Sequence, residues 1–246
     1  MKLIIIGSGS GMPVANRRSP SYWIEADDTN VLLDCGDGCS SGILSAQLDP
    51  LTLDAIAITH THSDHWAGFP LLVQMFHILG RKNPLTIITP SEASDTFQRI
   101  LETSYMWAEK IGFEIVWKIW REKIAEKIGS LYVKPYLNSH LQGYSDDNFR
   151  HPHSFRQCYS LEVTRNGERG VYSSDIGSLS DLDEMLEKDA DWLLIEGMHY
   201  PIEDFQKWIS EKNIGKTIIT HIPPERYGKK FADGTIIAED GMTITF

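Results

Sequence analysis

The feature that most constrains the fold is a cluster of metal-ligand residue types within one short run, His60-Thr61-His62-Ser63-Asp64-His65. The run follows Ala55–Ile58, a short apolar segment typical of a buried strand. Imidazole nitrogens and carboxylate oxygens are suitable ligands for zinc, manganese or iron. A single histidine in a loop is usually a solvated surface residue. A cluster of this density after a buried strand indicates a metal site instead.

Three further predicted strands end in a residue of the same kind. The strand Leu131–Leu137 runs towards His140, Gly170–Ser173 towards Asp175, and Thr217–Ile219 towards His221. Because functional sites in α/β sheets collect beyond the carboxyl ends of strands, these ends are expected to share one edge. A carboxylate such as Asp175 can bridge two cations, since each oxygen can serve one ion. The predicted ligands are therefore His60, His62, Asp64, His65, His140, Asp175 and His221.

Predicted strands and helices are mixed along the chain. The N-terminal strands come as hairpins and the later ones alternate with helical segments, which favours sheets covered by helices over a barrel or a bundle. The predicted helices lie at Trp66–Leu79, Glu92–Ile111, Leu182–Lys188 and Ile202–Lys212. The sequence has 246 residues and shows no low-complexity linker or internal repeat, so residues 1–246 are expected to form a single hydrolase domain.

The charge balance bears on the partners of the protein. The net charge is −11, whereas nucleic-acid-binding proteins usually carry a basic surface that neutralises phosphates. A nucleic-acid substrate is therefore disfavoured, although a local basic patch stays compatible with one. The apolar start Leu3–Ile6 breaks at Gly7, too early for a signal peptide, and no apolar run has membrane length. We expect a cytoplasmic protein that has no membrane partner.

The motifs resemble a known superfamily. The pattern His-x-His-x-Asp-His after an apolar strand is similar to the signature of the metallo-β-lactamase fold superfamily. Four further stretches resemble its ribonuclease Z-like branch: Gly7–Pro13, Asn16–Arg18, Leu33–Gly38 and Thr220–Tyr227. The resemblance covers nearly the whole chain. It implies an α/β fold in the form of a four-layer αββα sandwich, with a two-metal site at one edge.

The resemblance also implies how the ligands divide between two ions. By position, His60, His62 and His140 hold one ion, Asp64, His65 and His221 hold the other, and Asp175 bridges them. The ions are expected to be zinc, with manganese or iron as options, and a hydroxide between them to be the nucleophile. The third histidine of the first set is open, because His153 and, less well, His151 also fit the pattern. Asp34 resembles a position near the site, where it either orients a ligand or caps a turn.

The chain departs from ribonuclease Z in two places. That enzyme carries a His-Glu-Ala-Thr segment whose histidine assists proton transfer, but here the stretch reads Leu194-Ile195-Glu196-Gly197-Met198-His199. The displaced His199, or Glu196, is the candidate general acid, and Asp64 completes the candidate catalytic residues. The glycine- and proline-rich arm that grips tRNA in that enzyme has no counterpart within Trp66–Ser139.

These observations lead to one main prediction and three alternatives. The main prediction is a phosphodiesterase-like hydrolase that uses a hydroxide bridging two zinc ions to cleave a small phosphodiester or a related ester. The alternatives are ribonuclease Z, which cuts tRNA at its 3′ end, a hydrolase of lactones, thioesters or amides, and a metal-binding sensor without turnover. The resemblance also suggests a homodimer.

Overall fold

Two seven-stranded sheets lie face to face within residues 1–147 and 150–246, which the computed structural model of the chain describes. Helices cover the outer surfaces of both sheets. This architecture confirms the predicted α/β class with a four-layer αββα sandwich. In the described part of the chain, no helix is long and apolar enough to cross a membrane.

The first sheet is built from the N-terminal half of the chain and its last strand. With strands numbered in chain order, its spatial order is β14 (Thr243–Thr245), β1 (Lys2–Gly7), β2 (Ser21–Ala26), β3 (Thr29–Leu33), β4 (Ala55–Ala57), β5 (Leu85–Thr89) and β6 (Ile115–Ile119). Strands β14 to β3 pair antiparallel and β3 to β6 pair parallel. The antiparallel part contains the hairpin predicted at the start of the chain.

The second sheet is built from the C-terminal half of the chain. Its spatial order is β13 (Ile236–Ile237), β12 (Ile214–Thr220), β11 (Ala190–Glu196), β10 (Glu168–Tyr172), β9 (Tyr159–Arg165), β8 (Leu131–Leu137) and β7 (Glu126–Ile128). Strands β10 to β13 are parallel, and β7 to β10 are antiparallel. Because β8 and β10 both run antiparallel to β9, they end at the same edge of the sheet as β11 and β12.

The apolar residues of β1 alternate between two cores. Leu3 and Ile5 face the seam between the sheets, where the second sheet contributes residues such as Leu194. Ile4 and Ile6 face the other way and pack against the helices. A strand that is buried on both faces has an unbroken apolar sequence. The apolar start of the chain is therefore explained by a central strand.

The helices divide between the two outer surfaces. Four helices cover the first sheet: α1 (Cys39–Ser45), α2 (Phe69–Ile78), α3 (Ser91–Thr103) and α4 (Ala108–Ile111). One helix, α5 (Ile202–Ile209), covers the second sheet through the buried ring of Phe205. Each helix buries one apolar side, as expected for amphipathic helices on a sheet.

Two of the predicted helices are wrong in extent. The predicted helix Glu92–Ile111 is divided, because α3 ends in a Schellman motif: Tyr105 takes a positive φ of 61°, and the backbone N–H of Met106 donates to the carbonyl of Leu101. Glycine usually occupies that position. Because a tyrosine occupies it here, the sequence lacks the usual signal for a helix end.

The predicted helix Leu182–Lys188 is instead two short 3₁₀ turns, Leu179–Leu182 and Met185–Glu187. The Asp181 carboxylate accepts hydrogen bonds from the backbone N–H groups of Gly177 and Ser178, and it caps the start of the first turn.

The carboxyl ends of strands from both sheets meet at one edge of the sandwich. Strands β3 and β4 end just before Asp34 and His60, and β8, β10 and β12 end just before His140, Asp175 and His221. The shared edge predicted from the sequence is therefore formed by the two sheets together, with the site at the seam between them.

Candidate metal centre

Seven side chains at this edge form two groups that have the composition of metal sites. The first group contains His60, His62, His140 and Asp175, and the second contains Asp64, His65 and His221. Within each group the ligand atoms lie within 4.8 Å of one another. The structure therefore brings together all seven residues that the sequence predicts as ligands, and divides them as the resemblance implies.

Asp175 lies between the two groups. Its Oδ1 atom is 3.4 Å from Nε2 of His65 and 3.5 Å from Nε2 of His221, both in the second group. Its Oδ2 atom is 3.7 Å from Nε2 of His140 in the first group. Each carboxylate oxygen thus faces a different group, which is the position that a bridging ligand requires.

The buried polar atoms of the cluster fit a metal. Among the described residues, Nε2 of His60, Nε2 of His65 and Oδ1 of Asp175 are buried and have no hydrogen-bond partner. A buried polar atom without a partner costs about 1–3 kcal/mol, so such atoms are rare unless something else satisfies them. Imidazole nitrogen and carboxylate oxygen are the donor set of zinc sites. The residues present therefore fit zinc.

The histidines of the first group are held in their neutral form. Burial, followed by the nearby His65, holds the pKa of His60 well below its ordinary value. Burial also lowers the pKa of His140 to about 4. Only a neutral imidazole has a free nitrogen lone pair for a metal, so these shifts favour coordination.

In the second group the pKa of the histidine shifts in the opposite direction. Burial disfavours the charged form of His65, but the carboxylates of Asp175 and Asp34 outweigh burial and hold the pKa of His65 well above its ordinary value. Burial likewise disfavours the Asp175 carboxylate, but the charges of His221 and His65 keep the pKa of Asp175 well below its usual range. Asp175 is therefore an anion in the middle of the cluster.

Asp34 orients His65. The Asp34 carboxylate is 2.7 Å from Nδ1 of His65, and it accepts hydrogen bonds from the Tyr172 hydroxyl (2.7 Å) and the backbone N–H of Thr59 (2.8 Å). It is fully buried. Because Nδ1 of His65 is hydrogen-bonded to Asp34, its Nε2 is directed at the two ligand groups. Of the two roles open for Asp34, the structure shows the orienting one.

The glycine-rich loop after β1 lies against the second group. The backbone N–H of His221 donates to the carbonyl of Ser8, and a Cβ atom on Gly11 would lie 3.4 Å from Oδ2 of Asp64. The Asp240 carboxylate anchors the loop by accepting hydrogen bonds from the backbone N–H groups of Ser8 and Arg18. Sequence reasoning missed Asp240, because nothing local marks an aspartate more than 200 positions away as a partner.

Glu196 and His199 form a hydrogen-bonded pair at the rim. Oε1 of Glu196 is 3.0 Å from Nδ1 of His199, and its Oε2 accepts the backbone N–H groups of Met198 and His199. The His199 ring lies 4.8 Å from the ring of His140 and 6.1 Å from that of His221, between centroids. Burial disfavours charged His199, but Glu196 outweighs it and raises the pKa of His199.

Arg226 braces the turn that carries His199. One nitrogen of its guanidinium, Nη1, donates to the carbonyls of Gly197 and Tyr200, each at 2.8 Å. Sequence reasoning quoted Arg226 only as part of a motif and assigned it no role. Its partners could not be read from the sequence, because they belong to a different strand–loop unit.

The geometry favours one of the three candidates for the third histidine ligand of the first group. Nε2 of His140 lies 3.2 Å from Nδ1 of His62, inside the first group. His151 and His153 are exposed. The geometry therefore supports His140 as the third histidine.

A family model for the anti-Pycsar protein Apyc1 matches residues 1–223 of the chain. The chain belongs to the Apyc1 family of anti-Pycsar proteins. The fold and the motifs of this Apyc1 family member place it in the ribonuclease Z-like branch of the metallo-β-lactamase superfamily, as the resemblance predicts.

Curated relatives of this Apyc1 family member are named ribonuclease Z. The protein from Methanococcus aeolicus is 28% identical over 238 residues, an alignment that covers 90% of this chain and 72% of the relative. The protein from Aeropyrum pernix is 36% identical over 115 residues, which cover 46% of this chain and 36% of the relative.

Solved structures with the same fold cover the whole chain. Human tRNase Z, short form, matches with a TM-score of 0.79 and 19% identity, over 100% of this chain and 99% of that chain. YhfI from Bacillus subtilis has a TM-score of 0.78 and 20% identity, over 99% of each chain. Zinc-bound PqqB from Methylobacterium extorquens has a TM-score of 0.74 and 15% identity, over 100% of each.

We expect Asp34→Asn to weaken zinc binding about 10- to 100-fold, because an amide orients the His65 ring less well than a carboxylate. The affinity is measured by titration of the metal-free protein with zinc and a competing chelator. Asp37→Asn is the matched control, since Asp37 is exposed and only three positions away. Equal affinity for zinc in the Asp34→Asn and Asp37→Asn variants would contradict the orienting role.

We expect His140→Ala to lose bound zinc, and His153→Ala to keep it, because only His140 lies within the first ligand group. The number of zinc ions per chain is measured by inductively coupled plasma mass spectrometry after exhaustive dialysis. The reverse pattern, with loss in His153→Ala alone, would show that the third ligand comes from the exposed segment.

Proposed function

We propose that the chain is a metal-dependent hydrolase of phosphodiester bonds. The observation that carries this proposal is the pair of ligand groups joined by Asp175, with buried ligand atoms that have no hydrogen-bond partner among the described residues. Paired cations a few ångströms apart are the common solution for displacement at phosphorus, because they stabilise both the attacking and the leaving oxygen.

Two zinc ions are the proposed cofactor. The first would be held by His60, His62 and His140, the second by Asp64, His65 and His221, with Asp175 shared between them. Bound there, the ions would supply an activated water, by lowering its pKa towards neutrality, and would offset the negative charge of the phosphate. The zinc-bound structure of PqqB, which has the same fold, supports zinc over manganese or iron. In this arrangement Asp64, one of the three candidate catalytic residues, would be a ligand of the second ion.

His199 is the proposed proton donor to the leaving oxygen. Its Nδ1 is held by Oε1 of Glu196, so Nε2 is the nitrogen that is available to a substrate. The pair stands beside His140 and His221, one from each ligand group. A protonated imidazole at that place can donate its proton as the bond from phosphorus to oxygen breaks. Glu196 then orients the ring and stabilises its charge.

Ribonuclease Z is the more directly supported of the two substrate candidates. Its support is the alignment with a curated ribonuclease Z over 90% of this chain, together with the fold of human tRNase Z. On this hypothesis the substrate is RNA. Because the net charge disfavours a nucleic-acid partner, the RNA would bind at a local basic patch.

The small phosphodiester is kept as a candidate by one structural observation. The fully described stretch Trp66–Ser139 folds into helices and strands of the sandwich itself, from α2 to β8, and forms no projecting arm. The net charge of −11 also disfavours a long polyanion. The family name adds a further proposal, namely that the chain acts against Pycsar through this hydrolytic site.

The remaining predictions from the sequence have no additional support. They are the lactone, thioester or amide hydrolase, the metal-binding sensor, the homodimer, the cytoplasmic location and the single domain over residues 1–246. They stay predictions.

A substrate panel tests the proposed function. The zinc content of the purified protein is measured first, and the zinc-loaded protein is then assayed with a generic phosphodiester, precursor tRNA, a lactone, a thioester and a β-lactam. We expect metal-dependent cleavage of a phosphodiester bond that is lost on chelation and regained on adding zinc. Cleavage of tRNA at its 3′ end would select ribonuclease Z, and cleavage of the generic diester alone would select the small substrate.

Two results of this panel would contradict the proposal. A protein that binds no metal at all would overturn the site itself. A zinc-loaded protein that cleaves the lactone or the thioester and no phosphodiester would keep the site and overturn its assignment to phosphodiester bonds.

We expect the loss in His199→Ala to depend on the leaving group. A proton donor matters little for 4-nitrophenolate, which leaves as a stable anion, and matters much for unsubstituted phenolate. The turnover of a methyl phenyl phosphodiester should fall about 10²- to 10⁴-fold, and that of the 4-nitrophenyl ester far less. Glu196→Gln should show the same pattern in weaker form.

His77→Ala is the control for this comparison, because His77 is exposed on α2 and bonds the carbonyl of Ile111. It should leave both rates unchanged. Equal losses for the two esters in His199→Ala, at unchanged zinc content, would assign His199 to binding rather than to proton transfer. Little loss in the double variant of His199 and Glu196 would exclude both as the acid.

A further inference from the structure

The hydroxyl of Thr59 lies where the two ligand groups meet. Thr59 directly precedes the ligand His60 in the chain and is fully buried. Its Oγ1 atom lies 3.0 Å from both carboxylate oxygens of Asp34, 2.7 Å from Oγ of Ser174 and 3.1 Å from Nδ1 of His60. His60 belongs to the first group, whereas Asp34 orients His65 of the second. One hydroxyl therefore contacts parts of both groups.

The hydrogen bonds of this hydroxyl decide which nitrogen of His60 carries a hydrogen. A hydroxyl has one hydrogen to donate and two lone pairs that accept. The hydrogen of Thr59 goes to the Asp34 carboxylate, which can only accept, and the Ser174 hydroxyl donates its own hydrogen to Thr59. The contact between Thr59 and His60 therefore needs a hydrogen on Nδ1 of His60, which Oγ1 of Thr59 accepts.

This hydrogen bond directs the other nitrogen of His60 to the place of the first ion. A neutral imidazole with its hydrogen on Nδ1 keeps the lone pair on Nε2. Nε2 of His60 is buried, and it has no hydrogen-bond partner in the part of the chain that the structure describes. The Ser174 hydroxyl also lies near Nδ1, but its distance of 3.5 Å exceeds the usual range of about 2.7–3.2 Å for N–H···O bonds. Thr59 is therefore the better placed acceptor.

We propose that Thr59 is a positioning residue of the first ion: its hydroxyl links the Asp34 carboxylate to His60 and fixes the tautomer in which Nε2 is the ligand atom. Asp34 then orients one histidine in each group, His65 directly and His60 through Thr59. This inference rests on the zinc centre of the proposed function and adds a residue to it. Thr59 is not a ligand in this arrangement, because its hydroxyl acts through the ring of His60.

The position of the hydrogen on His60 is the first test, and it is made on the wild type. Long-range ¹H–¹⁵N correlation spectra are recorded for the metal-free protein at mildly alkaline pH, where imidazoles are neutral. The signals of His60 are identified by their absence in His60→Gln. We expect the hydrogen on Nδ1. A hydrogen on Nε2 instead would overturn the proposal.

The second test removes the hydroxyl and keeps the shape of the side chain. In Thr59→Val, one of the two zinc ions should bind about 10- to 100-fold more weakly, because the ring of His60 is no longer held. The hydrogen of His60 should then be shared between its two nitrogens. Affinities are measured by stepwise titration of the metal-free protein with zinc and a competing chelator. Thr59→Ser should restore both results, because serine keeps the hydroxyl.

Thr89→Val is the matched control. Thr89 is also fully buried, it ends the neighbouring strand β5, and its hydroxyl donates to the carbonyl of Pro90. This variant loses the same chemical group and should bind both ions as the wild type does. An equal loss of affinity in Thr59→Val and Thr89→Val would overturn the positioning role, and so would an equal weakening of both ions in Thr59→Val.

The outcomes separate this inference from the proposed function. If the wild type binds no zinc, but its Nδ1 hydrogen is present and Thr59→Val releases it, the positioning of His60 stands and the metal-dependent hydrolase is overturned. If the wild type binds zinc and cleaves a phosphodiester, while Thr59→Val binds both ions as tightly, the hydrolase stands and the role of Thr59 is overturned.

Discussion

The buried carboxylate of Asp175 is the interaction on which the rest of the site depends. It lies among imidazoles from three other strand ends, and its negative charge is what allows so many nitrogen atoms to be packed together at the seam. An isolated carboxylate would be costly to bury there, and so would a set of histidines without an anion. The two kinds of group stabilise each other, and the atoms left without partners, such as Nε2 of His60, face the same space. A cluster built in this way is prepared for cations before they bind.

The backbone shows what it takes to place these groups. Asp34, Ser174 and His221 all have positive φ values, of 56°, 53° and 50°. Such conformations cost a non-glycine residue about 1–3 kcal/mol each and persist only where the surroundings impose them. All three follow buried strands, where the chain turns sharply and the side chains stay at the seam. The two packed sheets supply that constraint, because their strands cannot shift without opening a core.

A second layer of contacts turns this cluster into an oriented site. Asp34 sets the ring of His65, Glu196 sets the ring of His199, and Arg226 braces the turn between Gly197 and Tyr200. A cavity lined by His62 and Tyr144 lies on one side of the first ligand group. The edge thus carries two ligand groups, the hydrogen-bonded pair of Glu196 and His199 next to them, and a cavity lined by His62.

The sequence by itself determined which chemical groups would meet and at which strand ends. That was possible because a strand is a local structure, with a recognisable apolar pattern, and because its carboxyl end is where sites of α/β sheets form. The ligand types around His60 and a fold of sheets covered by helices were therefore predictable, while the four-layer arrangement was implied by the resemblance to the metallo-β-lactamase superfamily. What could not be predicted was the partner of each group. Tyr172 and Asp34 are 138 positions apart, and their hydrogen bond exists only because two sheets pack face to face. The same holds for the brace from Arg226, for the end of α3 at Tyr105, which lacks the usual glycine, and for the cavity at Tyr144. Such contacts depend on how separate parts of the chain pack, and that is decided by the tertiary structure alone.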